Sequence, residues 1–197
     1  MFPSPSIEEV VVLDRRLEMV KATSANLRQR FGARVRFFTE SKDACRAVYE
    51  SETLPALAVN DRVGLNEVEA YGDSFDGIVR VTSPLTLIIL FSGSAFKKPK
   101  QVKQWIREGK IDFAIEKRNP EELYQLIEQI RLRWNSEPAK KLRNHIATQP
   151  HAELPGMSDG VDEVSLIDEY REILKGTPRG DRYAADWDKV LSGPVNA

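Results

Sequence analysis

The sequence predicts an α/β protein built on a doubly wound, five-stranded parallel sheet, followed by a helical C-terminal extension. Three observations carry this. Five short apolar runs, rich in β-branched residues, recur along the first 134 residues. Segments with helical spacing separate them, the arrangement that a parallel sheet covered on both faces requires. The composition then changes after Trp134, where no further strand-like run occurs.

Val10-Val11-Val12-Leu13 is the first run, and it stops at Asp14. Leu17 to Phe31 follows as a helix, with Leu17, Val20 and Leu27 on one face and Gly32 placed to end it. Val35-Arg36-Phe37-Phe38 is the second strand. Ser41 is the expected N-cap of a short helix carrying Ala44, Ala47 and Val48. Ala56-Leu57-Ala58-Val59 is the third strand, closed by Asn60-Asp61.

The stretch from Arg62 to Leu85 is less legible. Tyr71-Gly72, Asp76-Gly77 and Ser83-Pro84 are turn signals, and either a helix or an extra strand around Ile78–Val81 fits. Leu87-Ile88-Ile89-Leu90-Phe91 is the strongest strand. Lys98 to Glu108 reads as a helix burying Val102, Trp105 and Ile106, and Asp112-Phe113-Ala114-Ile115 as the fifth strand. Asn119, Pro120 and Glu122 form the best helix start in the chain, for a helix burying Leu123, Leu126, Ile127 and Ile130.

Beyond it, Ser136 to His145 is an expected short helix, and Gln149 to Gly160 an expected linker. Two amphipathic helices follow, Val164 to Lys175 and Asp181 to Leu191, the second aligning Tyr183, Trp187, Val190 and Leu191. The expected organisation is a main domain over 7–134, a short helix and linker over 135–160, and a helical extension over 161–197. Two such stripes cannot bury themselves alone, so the extension is expected to pack on the main domain, in its own chain or across a homodimer.

Lys+Arg number 29 and Asp+Glu 30, so the chain is neither a basic nucleic-acid coat nor an acidic tail. The single cysteine, Cys45, excludes an internal disulfide and fits inert packing. The two histidines, His145 and His151, make a Cys/His zinc site implausible and are expected at the surface. No apolar stretch is long enough to span a bilayer, and the N-terminus lacks signal-peptide features, so the expected location is cytoplasmic.

Gly109-Lys110-Ile111-Asp112-Phe113-Ala114-Ile115-Glu116-Lys117-Arg118-Asn119-Pro120-Glu121-Glu122-Leu123 resembles, without a gap, a stretch of the receiver domain of bacterial response regulators (CheY-like). Leu87 to Ala95 is similar to that family's fourth strand and the small hydroxyl residue after it. Asp14 and Asn60-Asp61 fall at the ends of the first and third strands. The resemblance spans about two-thirds of the chain and implies the flavodoxin-like receiver fold. It also implies one site at the strand ends. There, acids after the first strand hold Mg²⁺ and an Asp after the third accepts a phosphoryl group from a histidine kinase. A hydroxyl after the fourth strand and a Lys after the fifth contact that group.

Carried over, this makes Asp14 a candidate metal ligand and Asp61 the candidate phosphoacceptor, with Asn60 the alternative at that position. Ser92 and Lys117 become candidate phosphate-site residues. The chain departs from the family at two places. Arg15 replaces one acid, and Glu116 takes the Lys position, with Lys117 next to it. Reversing a charge about 4 Å from a phosphoryl group is worth several kcal/mol, since each unit pair contributes roughly 4 kcal/mol at an effective dielectric of 20.

The expectation is therefore a pseudo-receiver in a two-component (phosphorelay) type pathway, without catalysis of its own, acting on a protein partner. No cofactor is then required, and Mg²⁺ enters only if the acidic site works. The alternatives are a working phosphoacceptor using Asp61, and nucleic-acid binding through the basic segment 97–110, which holds Lys97, Lys98, Lys100, Lys103, Arg107 and Lys110. That segment is also expected to attract the acidic tail.

Overall fold

A computed structural model of the protein describes residues 5–61, 70–93, 97–107, 109–147 and 183–195. Strands β1 (Ser6–Leu13), β2 (Arg34–Phe38), β3 (Pro55–Asn60), β4 (Leu87–Ser92) and β5 (Phe113–Glu116) form one sheet in the order β2-β1-β3-β4-β5. Every pairing is parallel. Helices α1 (Leu17–Phe31), α2 (Ser41–Tyr49), α3 (Ala70–Thr82), α4 (Pro99–Arg107) and α5 (Pro120–Arg133) connect the strands or follow them. Then come α6 (Glu137–Ala147) and α7 (Tyr183–Ser192). Among the described residues, no helix is long and apolar enough to cross a membrane.

The period-two alternation of a strand divides the core into two layers. Val10, Val12, Leu57, Val59, Leu87 and Ile89 face α1 and α5, where Val20, Leu27, Leu123, Ile127 and Ile130 cover them. Val11, Leu13, Ala58, Ile88 and Leu90 face α2, α3 and α4, where Ala44, Val48, Phe75, Ile78, Val102 and Trp105 close the other side. Strands buried on both faces need the near-continuous apolar runs seen in the sequence. Cys45 belongs to this second layer and is a free, buried thiol.

Several local expectations change. Ser41 is not the cap of α2. The carbonyl of Glu40 accepts the first helical bond, from Ala44 N–H, which moves the cap one residue back and buries Ser41. Asn119 does stand at the N-cap position of α5, but its side chain donates to Glu122 Oε1 at 3.0 Å instead of accepting a backbone N–H. Leu17, expected on the buried face of α1, is exposed, while Thr23 and Ser24 join Val20 and Leu27 in the interior. Gly32 ends α1 in the left-handed conformation, φ 60°, and its N–H donates to Arg28 O.

The ambiguous region resolves to helix from Ala70 onward. Phe75, Ile78 and Val79 lie at i, i+3 and i+4 and bury against the sheet. Glycine inside a helix costs only about 1 kcal/mol, and burial of Phe75 alone outweighs that at Gly77. A buried ion pair fixes α3 to the sheet. Arg80 donates to Asp112 Oδ2 at 2.7 Å, to Gly109 O at 2.7 Å and to Thr86 O at 3.0 Å, and Asp112 Oδ2 also accepts Ile88 N–H.

At the α1–α5 seam, Arg30 makes a bidentate pair with Glu121 and lies over the ring of Tyr124. Burial pushes the Tyr124 phenol above its ordinary value, against opposing effects of Arg30 and Asn26.

The described tail packs on α5 and α6. Trp187 is fully buried and stacks on Trp134, with ring centroids 5.7 Å apart. The expected attraction of the tail to segment 97–110 does not hold for α7. It belongs to the α1–α5 layer, across the sheet from α4, where apolar burial sets its place. The helix expected over Val164 to Lys175, the linker over 149–160 and His151 lie outside the described residues.

Candidate functional site

Parallel strands bring all their C-terminal ends to one edge, and ligand sites in such sheets form there. Leu13 is in register with Asn60, Asn60 with Leu90, and Ser92 with Glu116. The ladder continues one residue further. Asp14 N–H donates to Phe38 O at 3.1 Å, Asp61 N–H to Leu13 O at 3.0 Å, and Lys117 N–H to Ser92 O at 3.3 Å. Asp14, Asp61, Ser92 and Lys117 therefore share one edge.

Their side chains form a compact ionic cluster. Lys117 Nζ donates to Asp14 Oδ2 and to Asp61 Oδ1, each at 2.5 Å. The three side chains are 7%, 6% and 16% exposed, in the order Lys117, Asp14, Asp61. The second oxygen of Asp14 accepts Arg16 N–H at 2.9 Å, and the Arg16 Nε lies 3.8 Å from it. The Phe91 ring centroid is 6.0 Å from the Lys117 ammonium. Ser92 is buried at the end of β4.

The two alternatives at the end of β3 separate cleanly. Asp61 faces Lys117, whereas Asn60 turns to α3 and donates its Nδ2 to Asp76 Oδ1 at 2.8 Å. Successive residues at a strand end point to opposite sides, so both cannot enter one site.

At β5 the ungapped match misplaces the cation. Glu116 ends the strand half-buried, with Arg118 Nε 3.5 Å from its carboxylate. The next residue, Lys117, supplies the ammonium between the acids. The sequence names Lys117 as a candidate phosphate-site residue, beside Glu116 at the position of the usual Lys. It gave no signal at all for the Asn60–Asp76 contact or for Arg80.

Mg²⁺ prefers an octahedral set of oxygens at about 2.0–2.1 Å. Both Asp14 oxygens and one Asp61 oxygen already accept from cationic or backbone donors, and residue 15 brings a guanidinium in place of an acid. No group of three or more His, Cys, Asp or Glu among the described residues is arranged to hold a metal. In this arrangement the Lys117 ammonium stands between the two acids, where a bridging cation would stand.

No family model matches the chain, and no curated protein matches it. Its similarity is to solved structures. The signal receiver domain of an HD domain-containing protein from Pseudomonas fluorescens Pf-5 is 19% identical with a TM-score of 0.52, covering 68% of this chain and 100% of that one. A CheY-like response regulator receiver domain protein from Methanospirillum hungatei JF-1 is 19% identical with a TM-score of 0.51, covering 62% of this chain and 92% of that one. The response regulator DrrB, a Thermotoga maritima OmpR/PhoB homolog, is 17% identical with a TM-score of 0.50, covering 89% and 93%. The chain has the receiver fold, a five-stranded parallel sheet with helices on both faces.

Proposed function

We propose that the protein is a receiver-like module of two-component type signalling that works as a pseudo-receiver, through contacts with a protein partner and without catalysis of its own. The supporting observation is the Lys117 ammonium bound to both Asp14 and Asp61. In the receiver scheme, the acids must be free to take a metal and a phosphoryl group. Here their charge is met from within the chain, and the cluster is kept largely from water.

The test is incubation with Mg²⁺ and acetyl phosphate, read by intact mass. The expected result is no stable phosphoryl adduct. An adduct that disappears in Asp61→Asn would establish the working-acceptor alternative.

The nucleic-acid alternative rests on α4. Lys97 and Lys98 just before it, and Lys100, Lys103 and Arg107 on it, are all exposed. The whole chain nevertheless carries a formal charge of -1, which gives no long-range attraction to a polyanion. Binding to generic duplex DNA is expected to be weak and to vanish at physiological salt.

A further inference from the structure

Helix α4 is fixed to the sheet by one side only. Val102 and Trp105 are buried in the layer that α2 and α3 share, and Ile106 packs against that layer. The opposite side is exposed and carries charge of one sign. Lys97 and Lys98 lead into the helix. Lys100, Lys103 and Arg107 follow at i, i+3 and i+7, a row about 10 Å long on one face. Residues 92–107 contain no Asp or Glu.

Two observations set this row apart from the other cations of the chain. The first is pairing. Arg30, Arg34, Arg80 and Lys140 each meet an acid of their own chain, at distances from 2.7 to 3.0 Å. Among the described residues, no carboxylate pairs with the side chains of Lys97, Lys98, Lys100, Lys103 or Arg107. The second is position. The first turns of α1, α2, α5 and α6 carry Glu18, Asp43, Glu121 with Glu122, and Glu137, where the helix dipole favours an acid. The first turn of α4 carries none and holds Lys100 instead. Cations at i, i+3 and i, i+4 also repel one another. The outer face of α4 thus works against its own helix. The described part of the tail gives no relief, because α7 lies across the sheet.

We propose that this face is a docking surface for an acidic segment of a partner protein, with carboxylates set along it to meet Lys100, Lys103 and Arg107. Anions brought to the row relieve the repulsion and supply the charge that the start of the helix lacks. A protein segment fits better than a nucleic acid, because the row is short and the chain as a whole carries a formal charge of -1. At physiological salt the field of such a patch reaches about 8 Å, so it acts on what touches it and not on a distant polyanion. The inference rests on the reading of the chain as a module that works by protein contact, and it names the chemistry of that partner. It does not involve Asp14, Asp61 or Lys117. A phosphoryl adduct would therefore overturn the pseudo-receiver reading and leave this surface standing, and a failure here would leave the acetyl phosphate result as it is.

The test uses the full chain and a fluorescent oligoglutamate peptide, followed by anisotropy at low and at physiological salt. Saturable binding is expected, weaker as salt rises. Lys100→Glu, Lys103→Glu and Arg107→Glu together should weaken it about tenfold or more. Lys21→Glu, Arg46→Glu and Lys141→Glu, at exposed cations on α1, α2 and α6, change the net charge equally and should leave it within about twofold. The neutral set Lys100→Gln, Lys103→Gln and Arg107→Gln, with an unchanged melting temperature, should weaken binding in the same direction, which separates the row's charge from any loss of fold.

Absence of saturable binding, or an equal loss in the two charge-reversed sets, would overturn the proposal. Duplex DNA binding more tightly than the peptide at the same salt would overturn it in favour of a nucleic acid. Carbodiimide cross-links from Lys100 or Lys103 to the acids of residues 153–172 of the same chain would make the tail the occupant. A dimer mass that the α4 changes abolish would make a second copy the occupant. Either result would also overturn it.

Discussion

Lys117 Nζ reaches Asp61 Oδ1 at 2.5 Å across a separation of 56 residues, and the same ammonium holds Asp14. Lys117→Met leaves two largely buried carboxylates facing one another with only the exposed Arg16 guanidinium, 3.8 Å from Asp14, as counter-charge. Breaking a buried ion pair on one side costs about 3–5 kcal/mol. Urea unfolding should show a loss of that order. The double variant Lys117→Met with Asp61→Asn should recover part of it, because one of the stranded charges is gone. A single variant as stable as the wild type would mean that the cluster contributes nothing.

Metal dependence should be absent in the wild type. A ligand present at a hundred times its dissociation constant stabilises by about 2.7 kcal/mol, a shift that thermal unfolding resolves easily. Addition of millimolar Mg²⁺, or its removal with EDTA, is expected to leave the melting temperature unchanged. A clear upward shift with Mg²⁺ would show that the metal displaces Lys117.

The Arg80–Asp112 pair gives a second, independent test. Both side chains are nearly inaccessible, at 4% and 0% exposed, and Arg80 also serves two backbone carbonyls. Arg80→Met should cost about 3–5 kcal/mol, because the buried Asp112 carboxylate loses its cationic partner. Replacing both residues with apolar ones should cost less than the sum of the single changes. A double-mutant cycle with no coupling would contradict the geometry.

Tyr124 provides a pH signature. Its phenol is raised by burial, so the folded protein holds this proton to higher pH than the unfolded chain does. The associated stability is fully present below the ordinary tyrosine value near 10 and falls as pH rises through the folded value. Absorbance titration at alkaline pH should show one late-titrating tyrosine that Tyr124→Phe removes. If all tyrosines titrate together at the ordinary value, the seam between α1 and α5 is looser than described.

The centre of the sheet was legible because β1, β3 and β4 are buried on both faces, so their signal is a run of apolar residues that needs no knowledge of partners. Val10–Leu13 and Leu87–Phe91 announce themselves in this way. Helix α3 was not legible, since Gly77 and Asp76 are turn residues in isolation and only packing of Phe75 against the sheet overrides them. The acidic members of the site followed from strand ends, yet the choice between Asn60 and Asp61 depends on which side each residue faces, and sequence does not carry that. Lys117 was underweighted because matching residue by residue assigns a role to a backbone position. Here the long lysine side chain reaches the cluster from one residue further on.

The Lys117 contacts also bear on the order in which the molecule assembles. They span 103 and 56 residues, so they close only when β5 reaches the sheet. Until then Asp14 and Asp61 sit on neighbouring strands as two carboxylates that repel each other, and early pairing of β1 with β3 proceeds against that repulsion. Long-range contacts of this kind pay their loop-closure entropy before they reward it. The cluster should therefore form after the rate-limiting step of folding. Substituting Lys117 should steepen the escape from the native state and leave the folding rate nearly untouched. In stopped-flow measurements the unfolding limb would rise while the refolding limb stays in place. The acid–lysine cluster would then act as a bolt on a finished structure, setting how long the native protein lasts and not how fast it arrives.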